Sequence, residues 1–189
     1  MRSYALTYPQ LMGELLDRHV PESDADAVRR AYDAAVGMTR DLYRPSGASF
    51  LSHLIRTASI ALRQTDDSTM VCAALLHATY QLGGVGSLLE RLRRGAPRTA
   101  MREMAGREVE EIVFAYGFWP WTEEGALRSH IENHETYTEP QRRALTLRIA
   151  NGLEDQLDAA MCFRAGGLPR SASERAGMAV TLARTLGLG

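Results

Sequence analysis

The stretch Val71–Tyr80, VCAALLHATY, decides the fold of this chain. Its side chains are apolar almost all the way round a helix, and such a helix belongs inside a protein rather than on its surface. It also carries a histidine, His77, near its C-terminal end. The sequence therefore predicts a helical core that contains one polar side chain, the imidazole of His77.

Helical periodicity continues on both sides of this stretch, and no sustained alternation of β-branched residues indicates a strand. Two N-terminal helices are predicted within 7–42 and a C-terminal helix at about 171–186. Neither a repeat nor a linker divides the 189 residues, which suffice for one well-filled core. The prediction is a single all-α domain over 1–189, a bundle of seven to nine helices.

Capping residues and apolar stripes give approximate helix limits. Pro21 breaks the N-terminal helices, and Ser23 and Asp24 are candidate caps for a helix from Ala25 to Leu42. Helices are also predicted at 50–62, in GREVEEIVFAYG and at 141–161, the last with Leu157 on its apolar side.

Composition excludes several functional classes. A net charge of -1 and a pI near 6.5 give no electrostatic footprint for nucleic acid, and the mixed charges give none for a membrane surface. All 22 basic residues are arginine, which excludes Schiff-base chemistry and a P-loop lysine. Without a signal-like or membrane-spanning stretch, a soluble cytoplasmic protein is expected.

Four polar side chains fall in or beside apolar helical stretches. His53 ends GASFLSH, His77 lies near the C-terminal end of the central stretch, and Asn151 lies in RIANGLEDQLD with Asp155 one turn later. A single buried histidine is usually a structural hydrogen-bonding group, but two such histidines favour a shared pocket. Arg44 precedes Pro45 in a turn, where its planar fork could bind a phosphate or carboxylate or simply face solvent.

These residues carry a resemblance to a known family. A histidine in a G-x-x-F-L-x-H context, followed 24 residues later by an A-A-L-L-H helix, resembles the HD superfamily of metal-dependent phosphohydrolases. Within that superfamily, YRPSGASFLSHLIRTASIAL and GREVEEIVFAYG are most similar to the hydrolase domain of RelA/SpoT-type alarmone enzymes. The resemblance covers roughly 41–158 and implies an HD-like helical bundle.

The resemblance also assigns roles, and the sequence departs from several of them. His53 and His77 match metal ligands, and Arg44 matches an arginine that contacts the nucleotide. Asp155 falls where the family has an asparagine beside the substrate. Where the family has two carboxylate ligands this chain has Ala78 and Asn151, and Gln81 and Leu82 replace the acidic pair thought to position water.

Two imidazoles and a neutral amide do not hold Mn²⁺ or Mg²⁺, which prefer carboxylate ligands. A divalent metal at His53 and His77 would need a recruited carboxylate, and Asp155 and Asp158 are the candidates. The departure from the family pattern therefore favours a protein without a cofactor.

Three functional hypotheses remain open. The favoured one is a degenerate HD-like domain that has lost metal-dependent phosphohydrolase activity and retains a pocket for a small polar or phosphorylated ligand. The first alternative is a diverged enzyme, either with recruited metal ligands or with His53, His77 and Asp155 performing acid–base catalysis. The second is a structural or interaction module, whose pocket is filled by Tyr80, Phe114 or Trp119. The pocket residues expected in the favoured case are Arg44, His53, His77, Tyr80, Asn151 and Asp155.

Two further motifs, a tryptophan-rich segment and a pair of histidines, follow the helix in GREVEEIVFAYG. Phe118-Trp119-Pro120-Trp121 places both tryptophans beside a proline, an arrangement that could wall a ligand pocket, form a protein contact or plug the core. His130 and His134 share one helical face, but their surroundings are polar and match no zinc-enzyme motif. An exposed helix or loop is predicted for these two histidines.

Overall fold

The computed structural model describes residues 3–82, 97–119, 126–158 and 180–188. Over these ranges the chain is all-α and forms no strand; one isolated bridge pairs Tyr43 with Ser49. The predicted single all-α domain is confirmed. The helices are α1 (Tyr8–Asp17), α2 (Glu22–Thr39), α3 (Phe50–Thr65), α4 (Ser68–Leu76), α5 (Pro97–Ala105), α6 (Arg107–Phe118), α7 (Ala126–Asn133), a 3₁₀ turn (His134–Thr136) and α8 (Glu139–Leu157).

The core is built around α4, as the apolar stretch predicted. Every residue of this helix from Met70 to Leu76 is buried, and α4 packs against α2, α3, α6 and α8. Leu75 and Leu76 are completely buried, and each such side chain contributes about 2 kcal/mol by leaving water. No described helix combines the length and the apolar character that a bilayer crossing requires.

The central helix ends at Leu76, four residues before the end of the predicted stretch. Two side chains donate hydrogen bonds to carbonyl oxygens at its C-terminus: Thr79 Oγ1 donates to Leu76 O at 2.6 Å, and His77 Nδ1 donates to Ala74 O at 2.7 Å. The backbone of Thr79 also bonds back to Leu76 O at 3.0 Å. Because these donors satisfy the terminal carbonyls, the chain turns there instead of continuing the helix.

The start of α2 corrects the predicted caps. The helix begins at Glu22, and the carbonyl of Pro21 accepts hydrogen bonds from the backbone of Asp24 and Ala25, both at 3.0 Å. Ser23 and Asp24 therefore lie inside the first turn and do not cap the helix. Negative charge in that turn is favourable because it opposes the positive end of the helix dipole.

The last long helix, α8, also differs from its predicted limits. Thr138 and Gln141 form a capping box at its start, so it begins at Glu139, and it ends at Leu157 rather than Met161. Leu157, predicted on the apolar side, is 43% exposed. Of the C-terminal helix predicted at 171–186, residues 180–185 are helical, residue 186 lies in a turn, and 171–179 lie outside the described residues.

A two-residue connection between α3 and α4 positions the candidate site. Asp66 ends α3 in the left-handed conformation, and the Asp67 carboxylate caps α4 by accepting from Thr69 N at 2.8 Å. Because so short a link makes the two helices antiparallel, His53 at the start of α3 lies close to His77 at the end of α4.

Candidate functional site

A short hairpin between α2 and α3 carries Arg44. Hydrogen bonds from Phe50 N to Leu42 O and from Arg44 N to Ala48 O, both 2.9 Å, join its two sides. Gly47 closes the turn with a φ of 83°, a conformation that glycine adopts without steric cost. The turn predicted around Arg44 is confirmed, and it places the guanidinium beside the first turn of α3.

The guanidinium of Arg44 lies among the carboxylates of α8. Its Nη1 donates to Glu154 Oε2 and its Nη2 donates to Asp155 Oδ1, both at 2.5 Å. Asp158 Oδ2 is 3.8 Å from Nη1. Burial acts to lower the pKa of Arg44, but the hydrogen bond to Asp155 and the three negative charges raise it above its usual value. Arg44 is therefore a permanent, nearly buried cation whose fork is already bound.

Glu154 is the centre of this arrangement, although the sequence analysis did not single it out. Its side chain is 2% exposed, and besides Arg44 it contacts His53 Nδ1 at 2.5 Å and Arg56 Nη1 at 3.5 Å. Since a carboxylate can only accept, His53 carries its proton on Nδ1 and donates it to Glu154. Arg44 Nη1 is 3.0 Å from the same nitrogen, and both donors point to the shared oxygen.

The hairpin is tied to α8 by a second contact. Ser46 Oγ donates to Asp158 Oδ2 at 2.7 Å, and Asp158 is buried at the end of α8. Together with the bonds of Arg44, this contact fixes both sides of the turn to one helix. Asp158, a candidate for a recruited metal ligand, is thus held by a hydroxyl and faces a guanidinium.

His53 and His77 do lie together, as predicted. Their ring centroids are 5.4 Å apart in an edge-to-face arrangement, and the ring of Tyr116 packs against His77 with a centroid distance of 5.2 Å. The bond to the Ala74 carbonyl places the proton of His77 on Nδ1, which leaves Nε2 as an acceptor. Burial, assisted by the nearby charge of His53, lowers the pKa of His77 to about 3. His77 is therefore neutral at physiological pH.

Asn151 reaches the same group of side chains from α8. Its Nδ2 donates to the hydroxyl of Tyr116 at 2.6 Å, and Tyr116 in turn packs on His77. Burial raises the pKa of Tyr116, so its hydroxyl stays protonated. Asn151 is 8% exposed, and within the described part of the chain its Oδ1 has no hydrogen-bond partner. Most buried acceptors in folded proteins are hydrogen-bonded, so this oxygen is an exception among the polar atoms of the site.

Tyr80, a predicted pocket residue, belongs to a different cluster. Its hydroxyl donates to Glu110 at 3.1 Å and its ring packs edge-on against Phe114 at 5.9 Å. Trp119 stacks on His130. The ring beside His77 is Tyr116, so none of the three aromatic side chains proposed to fill the pocket is the one found there.

The prediction of exposed histidines after α6 is wrong for His130. It is 6% exposed, its ring stacks on Trp119 with centroids 4.5 Å apart, and its Nδ1 lies 3.0 Å from the Tyr137 hydroxyl. His134 instead bonds through Nδ1 to Ile131 O at 2.9 Å. The two histidines thus have separate structural partners.

Three side chains of the site could contribute metal ligands. One ligand atom each from His53, Glu154 and Asp155 lies within 4.8 Å of the others, and this group does not include His77. The fit is poor, because the Nδ1 of His53 is bound to Glu154 and the guanidinium of Arg44 is bound to both carboxylates. A divalent ion would have to displace that cation.

Over residues 38–120 the chain matches a family model described as a domain of unknown function, DUF6817. The matched region contains Arg44, His53 and His77 but ends before α8, which supplies Asn151 and Glu154. None of the curated proteins compared with the chain matches it significantly.

Proposed function

We propose that this protein is a degenerate HD-like domain that has lost metal-dependent phosphohydrolase activity and binds a small polar ligand in the cytoplasm. The observation that carries the proposal is the guanidinium of Arg44, which is bound to Glu154 and Asp155. In this position Arg44 neutralises the carboxylates that a metal would need.

Electrostatics supports the loss of a metal. Two unit charges 4 Å apart interact by about 4 kcal/mol near a protein surface, and a divalent ion doubles the repulsion from a guanidinium. The positions that hold carboxylates in the HD superfamily supply no anionic oxygen, because Ala78 is a buried apolar residue and Asn151 is neutral. These two positions therefore offer a metal ion no ligand interaction that would offset the free-energy cost of displacing Arg44.

The acceptors of the site indicate the kind of ligand. Asn151 Oδ1 is without a hydrogen-bond partner among the described residues, and neutral His77 offers Nε2. Leaving such a group unpaired costs about 1–3 kcal/mol. Because Nη1 and Nη2 of Arg44 are both already bound to carboxylates, the guanidinium offers little to a phosphate. These features favour an uncharged ligand with N–H or O–H donors over a phosphorylated one.

A metal-free acid–base enzyme is the second candidate, and the His53–Glu154 contact of 2.5 Å favours it. A carboxylate bound to Nδ1 fixes the tautomer and makes Nε2 a better base. Asp155 was expected to orient the imidazole, and Glu154 makes the contact instead. Acid–base catalysis requires a substrate proton within hydrogen-bonding distance of His53 Nε2, whereas simple binding does not.

Metal content and turnover test the proposal together. The protein, purified without chelators, is assayed for bound Mn and Zn and for hydrolysis of bis-p-nitrophenyl phosphate and nucleoside diphosphates with added Mn²⁺. We expect far less than one metal per chain and no hydrolysis above that of a His53→Gln variant. One tightly bound Mn per chain, with hydrolysis that His53→Gln abolishes, would overturn it.

Ligand binding is tested by a thermal-shift screen of nucleosides and nucleotides. We expect unphosphorylated compounds to raise the unfolding temperature, and we expect Asn151→Ala to abolish that increase. Asn133→Ala is the matched control, because Asn133 is an exposed amide on α7. An increase that is equal in Asn151→Ala and the wild type would exclude this site as the binding site.

A further inference from the structure

A cavity lies away from the histidines, between α5, the end of α6 and the start of α8. Its volume is about 510 Å³, within the range of about 300–1,000 Å³ that small-molecule pockets occupy. Phe114, Trp119 and Pro140 supply its apolar walls, and Arg98, Glu111 and Thr138 supply polar groups. None of these residues belongs to the site around Arg44.

The aromatic walls are held in place from behind. Trp119 stacks on His130 with ring centroids 4.5 Å apart and contacts Tyr137 at 4.9 Å. Trp119 and Tyr137 also pack against the small apolar cluster around Leu145. Phe114 is contacted edge-on by Tyr80 at 5.9 Å. Because these contacts hold both rings in fixed orientations, a planar ligand that packs against them loses less entropy on binding.

Arg98 is equally well fixed. Its Nε and Nη2 donate to the two oxygens of Glu110, at 2.5 and 2.9 Å, and its Cζ lies 3.7 Å above the Phe114 ring. Glu110 is completely buried. Burial acts to raise the pKa of Glu110, but hydrogen bonds from Arg98, Arg102 and Tyr80 lower it below its usual value. The anchoring carboxylate therefore stays ionised.

One edge of this guanidinium remains for a ligand. Glu110 uses the Nε–Nη2 edge, and Nη1 makes no hydrogen bond within the described residues. The other charged group at the cavity, Glu111, is itself bound by Arg107 Nε at 2.7 Å and lies 4.0 Å from Arg102. Because the negative charge of Glu111 is balanced by these arginines, Nη1 of Arg98 is the charged hydrogen-bond donor that the cavity offers to a ligand.

We propose that this cavity is a second small-molecule site, which binds a planar aromatic compound carrying a carboxylate. The ring packs against Phe114 and Trp119, and the carboxylate accepts from Arg98 Nη1. A charge-assisted bond to a fixed guanidinium is stronger than a neutral one, so the carboxylate gives selectivity over an uncharged ring.

The probes are 1-naphthoate and its uncharged counterpart 1-naphthalenemethanol, titrated calorimetrically into the full chain. We expect saturable binding of 1-naphthoate that is at least tenfold tighter than binding of the alcohol. Ala115→Met fills the cavity from α6 and should weaken binding of 1-naphthoate at least tenfold. Ala34→Met on α2 is the control and should leave it unchanged.

Each outcome decides one part of the proposal. Failure of both probes to bind, or binding that Ala115→Met leaves intact, overturns the site. Equal affinity of the two probes overturns the selection of a carboxylate. An Arg98→Gln variant, checked for its fold by circular dichroism, should abolish the preference for 1-naphthoate, and a preference that survives would remove Arg98 from the site.

Discussion

Nη1 of Arg44 lies 2.5 Å from Oε2 of Glu154, although the two residues are 110 positions apart in the sequence. Their side chains are 10% and 2% exposed. Removing one partner of a buried pair leaves an uncompensated charge and costs about 3–5 kcal/mol. The ion pair therefore links the hairpin after α2 to α8, and it makes the guanidinium of Arg44 the cation of the site.

Removing that cation should create a metal site. In Arg44→Met, the carboxylates of Glu154 and Asp155 and the imidazole of His53 lose their guanidinium, so a divalent ion can bind them. We expect the variant to lose about 3–5 kcal/mol of unfolding free energy in EDTA. Zn²⁺ at one hundred times its dissociation constant should restore about 2.7 kcal/mol. Urea unfolding with and without Zn²⁺ measures both effects.

The control for this variant is Arg29→Met. Arg29 is 53% exposed and pairs with Asp26 and Asp33 at 3.5 Å, so its loss should cost less than about 1 kcal/mol, with no response to Zn²⁺. Stabilisation of the wild type by Zn²⁺, together with an unresponsive Arg44→Met, would contradict the assignment of Arg44 as the cation of the site.

The coupling between the two partners can be measured separately. In a double-mutant cycle of Arg44→Met and Glu154→Gln, we expect the double variant to be about 1–3 kcal/mol more stable than the summed single effects predict. The exposed pair Arg29→Met and Asp33→Asn should show coupling below about 0.5 kcal/mol. Denaturant unfolding supplies all the values, and additive effects in the first cycle would mean that Glu154 stays compensated without Arg44.

The fold was accessible from sequence because apolar periodicity reflects burial directly. The stretch that contains Leu75 is apolar all round and lies at the centre of the bundle. Glu154 was missed, although a signal existed: Asn151 and Glu154 are spaced i and i+3 on one face of α8, and Asp158, at i+7, directly follows the helix. The family resemblance indicated Asp155 instead, because Asp155 falls where the family has an asparagine beside the substrate.

Other features could not be predicted from the residues adjacent to them in the sequence. His130 has polar neighbours in sequence, which indicates exposure, yet Trp119 and Tyr137 bury it from two other segments. The partners of Arg44 lie on a helix more than a hundred residues away. Contacts of this kind depend on how the helices are arranged, and no local pattern contains that information.

The buried His77 should make stability depend on pH. Its pKa is about 3 in the native state and about 6.5 in an unfolded chain, so between these values only the unfolded chain binds the proton. Stability therefore falls as the pH drops below 6.5, by about 1.4 kcal/mol between pH 7.5 and 5.5. His53, Arg44 and Arg148 bring further positive charge near the ring and favour the neutral form.

His77→Asn keeps a donor for the Ala74 carbonyl but cannot titrate, so it should lose this part of the pH dependence. His19→Asn serves as the control, because His19 is exposed and has a φ of 55°, which asparagine tolerates well. Urea unfolding at pH 7.5 and 5.5 gives the comparison. Equal pH dependence in His77→Asn and the wild type would assign the effect to another group.

The close approach of α6 to Tyr80 gives a further prediction. A Cβ added at Gly117 would lie 3.2 Å from the Cβ of Tyr80, whose hydroxyl is bound to Glu110 and whose ring packs on Phe114. Because Tyr80 is fixed at both ends, we expect Gly117→Ala to cost about 1–2 kcal/mol of unfolding free energy.

Gly13→Ala, in the interior of α1 with nothing within 4 Å, should instead stabilise the protein by up to about 1 kcal/mol, the difference in helix propensity. The decisive measurement is a third variant, Gly117→Ala combined with Tyr80→Ala, which removes the obstructing ring. If the clash causes the loss, the double variant will be more stable than the sum of its single effects. If Gly117→Ala stabilises the protein as Gly13→Ala does, Tyr80 moves aside freely, and its contacts with Glu110 and Phe114 do not hold it in place.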